Sequence, residues 1–172
     1  MKPRSNPTRV LAEAMVIIAL AFLLYLVKVF QLPEGGSITL GSMIPIFLVS
    51  FRRGAKAGVV SGTVLGLIIL YYEKFIYNPF QVFLDYPLAF AVLGISGLFR
   101  RNPFVGIGVA ISSRFVCHFL SGVLFFQSFA PEGMNPILYS ALYNAGYLVP
   151  EFIISIAVMY MLMKRNILTV RL

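Results

Sequence analysis

An all-α membrane protein built as a bundle of six transmembrane helices is the fold class this chain predicts. Two observations carry the prediction. Apolar runs fill most of the 172 residues, of which 59% are hydrophobic and 12% charged, whereas a soluble domain carries about 25% charged residues. The basic residues gather in four clusters beside alternate runs: Lys2, Arg4 and Arg9; Arg52, Arg53 and Lys56; Arg100 and Arg101; Lys164, Arg165 and Arg171. These hold eleven of the fourteen Lys and Arg, while the other connections carry mainly Glu34, Glu73, Lys74 and Glu132. Lys and Arg are retained on the cytoplasmic side of a membrane. The alternation therefore predicts a multi-pass protein of the cell membrane with both termini in the cytoplasm.

A spanning helix needs about 20 mostly apolar residues. The first is expected over about 9–30. Its basic leader, MKPRSNPTR, resembles that of a signal peptide, but the apolar run is too long and no small-residue cleavage site follows, so the helix is expected to be retained. The second, about 37–51, is short and contains Pro45. The third covers about 57–73, where Gly58, Gly62 and Gly66 recur every four residues. Small residues on one face let helix backbones approach closely in lipid. The fourth, fifth and sixth are expected over about 80–99, 103–127 and 137–163. Six crossings bring both basic termini to one side, and the whole of 1–172 reads as a single integral membrane substrate-binding domain. The outer connections are QLPEGGS (31–37), YEKFIYNPF (72–80) and SFAPEGMNP (128–136), whose Pro and Gly imply turns of defined geometry.

The net charge of +8 sits beside apolar runs, so its expected partner is the anionic lipid surface of a bilayer and not nucleic acid. The single cysteine, Cys117, excludes an internal disulfide and a cysteine zinc cluster, and reads as a packed core thiol. The chain has no GxxxxGK[ST] phosphate loop, no HExxH and no GxSxG. His118 is the sole histidine. No metal, no cofactor and no enzymatic activity are expected. The chain is also small for an alternating-access carrier made of inverted repeats, which favours a binding subunit that takes its energy from a partner.

Ionisable residues inside a bilayer are costly, and each is a candidate for function. Helical rise places Asp85 roughly 8 Å below the outer end of the fourth helix, His118 roughly 12 Å below that of the fifth, and Asn144 roughly 10 Å below that of the sixth. Three helices thus bring a carboxylate, an imidazole and an amide to one depth. Aromatic residues accompany them: Tyr86, Phe125, Phe126, Tyr139, Tyr143 and Tyr147. His118, Ser121, Gly122 and Phe125 share one face of the fifth helix. Such a set suits a small, flat, nitrogen-rich ligand, neutral or cationic, with the carboxylate opposing any positive charge, the His and Asn fixing ring hydrogen bonds and the aromatic rings stacking on it. The competing reading is that Asp85, His118 and Asn144 only bond to one another between helices. Arg114 and Glu151 lie deeper and are expected to form an ion pair bracing the fifth and sixth helices, with a proton relay as the alternative. Glu13, near the inner end of the first helix, is expected to reach the interface.

Four strings carry a family resemblance: LPEGGSITLGSMIPIFLVSFRRG (32–54), NPFQVFLDYPLAFAVLGISG (78–97), RFVCHFLSGVLFFQSFAPEGMNP (114–136) and YSALYNAGYLVPE (139–151). Together they resemble the thiamine-specific S-components of energy-coupling factor (ECF) transporters, over about residues 9–163. The resemblance implies a bacterial membrane protein with a thiamine pocket near the outer face. It also implies a transmembrane coupling subunit and two cytoplasmic ATPases as partners, on which the S-component reorients to release vitamin inside. The family's acidic pocket residue falls on Asp85, its histidine on His118, an aromatic on Phe126, and a tyrosine and an asparagine on Tyr139 and Asn144. Tyr86, Ser121, Gly122 and Tyr143 complete the expected ligand-binding set. This chain departs from members with glutamate at Asp85 and tryptophan at Phe126; it has no tryptophan. The family's AxxxA face toward the coupling subunit maps imperfectly onto Ala12, Met15 and Ala19. Three other readings stand beside this one: an S-component for pyridoxine or a thiamine pyrimidine precursor, a stand-alone proton-coupled carrier using Arg114, His118 and Glu151, and an intramembrane enzyme, for which no nucleophile–base pair is present.

Overall fold

The computed structural model describes residues 7–165; Lys2, Arg4 and Arg171 of the basic clusters lie outside them. Helix α1 spans Pro7–Leu26. A two-stranded antiparallel ribbon follows, β1 (Lys28–Gln31) and β2 (Ser37–Thr39). Helices α2 (Ile44–Arg53), α3 (Ala55–Glu73), α4 (Pro79–Phe99), α5 (Pro103–Phe125) and α6 (Pro136–Lys164) complete the chain. Five of these helices, all but α2, are long and apolar enough to cross a membrane.

The early boundaries differ from expectation. The first helix ends at Leu26, not near residue 30, because Lys28–Gln31 pairs with Ser37–Thr39, in register Phe30 opposite Ile38 and Gln31 opposite Ser37. The second helix does not begin at 37. Ser37–Thr39 is extended, Gly41 adopts φ +81°, and the helix starts at Ile44 with Pro45 in its first turn. Proline has no N–H to give to a helix interior, but its fixed φ suits a helix start. The second pass is therefore half ribbon and half helix. Irregular backbone is tolerated at membrane depth where protein or a polar cavity satisfies its hydrogen-bonding groups, and this stretch lines a cavity.

Ion pairs show how the helices alternate. Glu13 near the start of α1 takes Arg53 Nε at 2.6 Å and Arg52 Nε at 3.2 Å, at the end of α2. It is thus held in a nearly buried pair with the basic cluster at that end of the bundle. At the other end, Glu73 at the close of α3 accepts from Tyr25 Oη (2.9 Å) and Lys28 Nζ (2.7 Å). Gly54, at φ +102°, turns α2 into α3 in one residue. The described basic clusters consequently share one end of the bundle, and the ribbon and the longer connections occupy the other.

The glycine stripe of α3 seats that helix against α4. A Cβ at Gly58 would overlap Ser50 and the backbone of Gly94; at Gly62, the Phe90 carbonyl; at Gly66, the Tyr86 carbonyl. Helix α4 changes pitch along its length. A π-helical turn, Leu84–Leu88, contains Pro87, and Val92–Phe99 tightens to a 3-10 helix. A π turn widens the backbone where proline withholds a donor, and such turns recur at functional sites. Here it carries Asp85 and Tyr86. Phe47, Phe90, Leu65, Ile69, Leu93 and Ile107 form the packed centre of the bundle.

Candidate functional site

Between the ribbon, α3, α4, α5 and α6 lies a cavity of about 400 Å³. That is within the roughly 300–1,000 Å³ typical of small-molecule sites. Asp85, Tyr86, His118, Gly122, Phe126, Tyr139, Tyr143 and Asn144 line it. Ser121 stands behind Asp85, bonded to it.

The Asp85 carboxylate is held from three directions. His118 Nδ1 donates to Oδ1 at 2.9 Å, Ser121 Oγ to Oδ2 at 2.7 Å, and Gln81 Nε2 to Oδ2 at 2.8 Å. A carboxylate only accepts, so the His118 proton facing it sits on Nδ1, which leaves Nε2 to present a lone pair when the ring is neutral. Nε2 has no partner. Gln81 is fully buried and also accepts from the Tyr77 amide through its Oε1, at 3.1 Å. It is absent from the expected set. The signal was a polar residue in an apolar run one helical turn before Asp85.

Helix α6 supplies the amide and the tyrosines. Asn144 Nδ2 donates to the Ser140 carbonyl at 2.9 Å, and Asn144 Oδ1 accepts from Tyr147 Oη at 2.9 Å. Tyr147 meets His118 edge-on with ring centroids 6.0 Å apart. The competing reading of mutual bonding thus holds for Asp85 and His118 alone; Asn144 is bonded within its own helix. Gly122 lets α5 and α6 approach: a Cβ there would overlap Ser140 Oγ.

The end of the cavity away from the basic clusters is aromatic. Phe126 lies 5.9 Å from Phe75, 5.7 Å from Tyr77 and 5.9 Å from Phe129, centroid to centroid. Tyr139 packs on Tyr143 at 5.9 Å. The Tyr143 hydroxyl accepts from the Gly36 amide at 2.9 Å and donates to the Pro33 carbonyl, tying the ribbon's turn to α6. Glu34, Glu73 and Tyr25 also line the cavity. They escape sequence reading because the ribbon turn and the far end of α3 place them there.

Arg114 and Glu151 do not form the expected ion pair. Thr39 takes Glu151 Oε1 through its amide (2.5 Å) and its hydroxyl (2.6 Å), and the Arg114 guanidinium lies over the Phe90 ring, 4.0 Å from its centroid. Both residues line the cavity. Ala12, Met15 and Ala19 are exposed on α1, away from the cavity.

Comparisons with known proteins agree with this architecture. The chain is 40% identical over 171 residues to a thiamine transporter ThiT of Bacillus subtilis, covering 88% of each protein. It is 29% identical over 141 residues to a thiamine transporter ThiT of Lacticaseibacillus paracasei, covering 70% of each. The solved structure of ThiT from Listeria monocytogenes superposes with a TM-score of 0.85 at 24% identity, over 94% of this chain and 96% of that one, a likeness of fold. The family model described as thiamine transporter protein (Thia_YuaJ) matches residues 11–170. This multi-pass chain belongs to the Thia_YuaJ family of thiamine transporter proteins.

Proposed function

We propose that this chain captures thiamine in the cavity and delivers it across the membrane as the S-component of an ECF-type importer. The observation that carries the reading is a buried carboxylate, Asp85, fixed by His118, Ser121 and Gln81 and set beneath an aromatic rim. A preorganised anion in a site of low dielectric favours a fixed cation such as a thiazolium ring. Glu34 and Glu151 share the lining with Asp85 and one cation, Arg114, while Glu73 is paired with Lys28, so the cavity as a whole favours positive charge. Phe126, Tyr139 and Tyr143 offer ring faces for stacking and cation–π contact. His118 Nε2 offers an acceptor for a ring amine. Asp85 is one methylene shorter than glutamate and Phe126 has a smaller face than tryptophan; Phe75 and Phe129 beside Phe126 enlarge the aromatic rim.

The chain has no nucleotide-binding loop, so energy for release comes from partners: a transmembrane coupling subunit and two ATPases on the cytoplasmic side. The basic end of the bundle faces that side under the positive-inside rule, with both termini there. The exposed face of α1 bearing Ala12, Met15 and Ala19 meets the coupling subunit.

The test is calorimetric titration of ligand-stripped protein in detergent with thiamine, with pyridoxine as control. Tight one-to-one thiamine binding and none for pyridoxine is the expected result. Asp85→Asn keeps the shape of the site and removes its charge. Losing one partner of a buried charge pair costs about 2–5 kcal/mol, or about thirtyfold or more in Kd. Unchanged thiamine affinity in Asp85→Asn would sink the electrostatic reading.

A further inference from the structure

Arg114 and Glu151 sit below the Asp85 level, on α5 and α6. Arg114 is nearly buried, at 9% exposure, and its Nε and Nη1 have no hydrogen-bond partner; Glu151 is 3% exposed, and its Oε2 has none. No ion pair joins the two. A buried charge that leaves part of its hydrogen-bonding capacity unused is costly. Both border the cavity.

We propose that Arg114 and Glu151 form a second, charge-balanced subsite at the inner end of the cavity, which takes a neutral ligand group carrying one hydrogen-bond acceptor and one donor. Arg114 donates to the acceptor and Glu151 accepts from the donor. A group with net negative charge is drawn to Arg114 and opposed by Glu151; a cation meets the reverse. The subsite therefore orients a bipolar ligand, leaving its charged ring to Asp85 and its neutral polar end to the inner pair. Thr39 holds Glu151 in place from the unwound part of the second pass, and the Phe90 ring supports the Arg114 guanidinium.

The inference rests on the thiamine reading for its ligand. Thiamine has two groups of the required chemistry, the amino-pyrimidine edge and the hydroxyethyl hydroxyl. Titrations of the full-length protein with thiamine, with its 4-oxo-pyrimidine analogue and with an analogue lacking the hydroxyl separate the two. Glu151→Gln is isosteric and retains an oxygen for Thr39; Arg114→Lys retains the charge and loses the planar fork. Each variant is first matched to the parent in thermal unfolding without ligand. The expected result is a loss of about tenfold or more in thiamine affinity in both variants. That loss shrinks for the one analogue whose missing or altered group occupies the subsite, which also identifies that group. Equal losses for all three ligands, or no loss, overturn the subsite while thiamine binding by the parent chain still stands. Absence of thiamine binding by the parent chain overturns both.

Discussion

Asp85 accepts from three residues on two helices, and Gln81 is the one among them that also fixes the loop before α4, through the Tyr77 amide. Replacing Gln81 with Leu removes one donor to the carboxylate and leaves that amide unpaired. Because the charge remains, thiamine affinity is expected to fall by about 1–2 kcal/mol, or roughly five- to thirtyfold, less than in Asp85→Asn; calorimetry on the two variants gives the order. At this scale much of the cavity lining was legible. Ionisable and amide residues inside apolar runs are few, and helical rise placed Asp85, His118 and Asn144 at one depth. What rise alone does not give is rotation about each helix axis. That is why Asn144 bonds along its own helix, and why Arg114 and Glu151 share a depth without pairing.

The elements divide in the same way. Long apolar runs announce α3 to α6 to within a few residues, and Asn-Pro pairs open α4, α5 and α6. Asn78 and Asn135 accept from the amides of Phe80 and Ile137, at 2.9 and 2.8 Å, as N-caps do. The ribbon was hidden because Val29, Phe30 and Ile38 read as apolar in either helix or strand; only their pairing separates the two. The glycine stripe was legible as a packing face but not as a face against α4 in particular. Gly62→Ala forces a methyl into the Phe90 carbonyl. Overpacking of this kind costs about 1–3 kcal/mol, so the variant is expected to unfold at lower temperature in detergent. With Phe90 under Arg114 and Asp85 one turn earlier on α4, its ligand affinity falls as well.

As a whole the molecule is polarised. Arg9, Arg52, Arg53, Lys56, Arg100, Arg101, Lys164 and Arg165 gather at one end, and the cavity with its carboxylates opens toward the other. Under the positive-inside rule the proposed reading sets the cavity toward the outside. On the proposed reading the energy for transport comes from partner subunits. Liposomes holding this chain alone, with an imposed pH gradient, are therefore expected to show no net thiamine uptake; uptake should appear on adding the coupling subunit, the ATPases and ATP. Gradient-driven uptake by the chain alone would instead support the proton-coupled carrier.

The half-helical second pass also bears on how the protein is made. Ile44–Arg53 has ten helical residues and ends in two arginines, against the roughly 20 apolar residues that a segment needs to partition into a bilayer by itself. As the chain leaves the ribosome, that segment has only α1, through the Glu13 pairs with Arg52 and Arg53, to hold it until α3 emerges and packs against it. Biosynthesis should therefore insert the two together as a hairpin. Chains truncated after Arg53 and carried clear of the ribosome by a polar spacer should leave a glycosylation tag in the segment accessible, and chains that continue through Glu73 before the spacer should protect it.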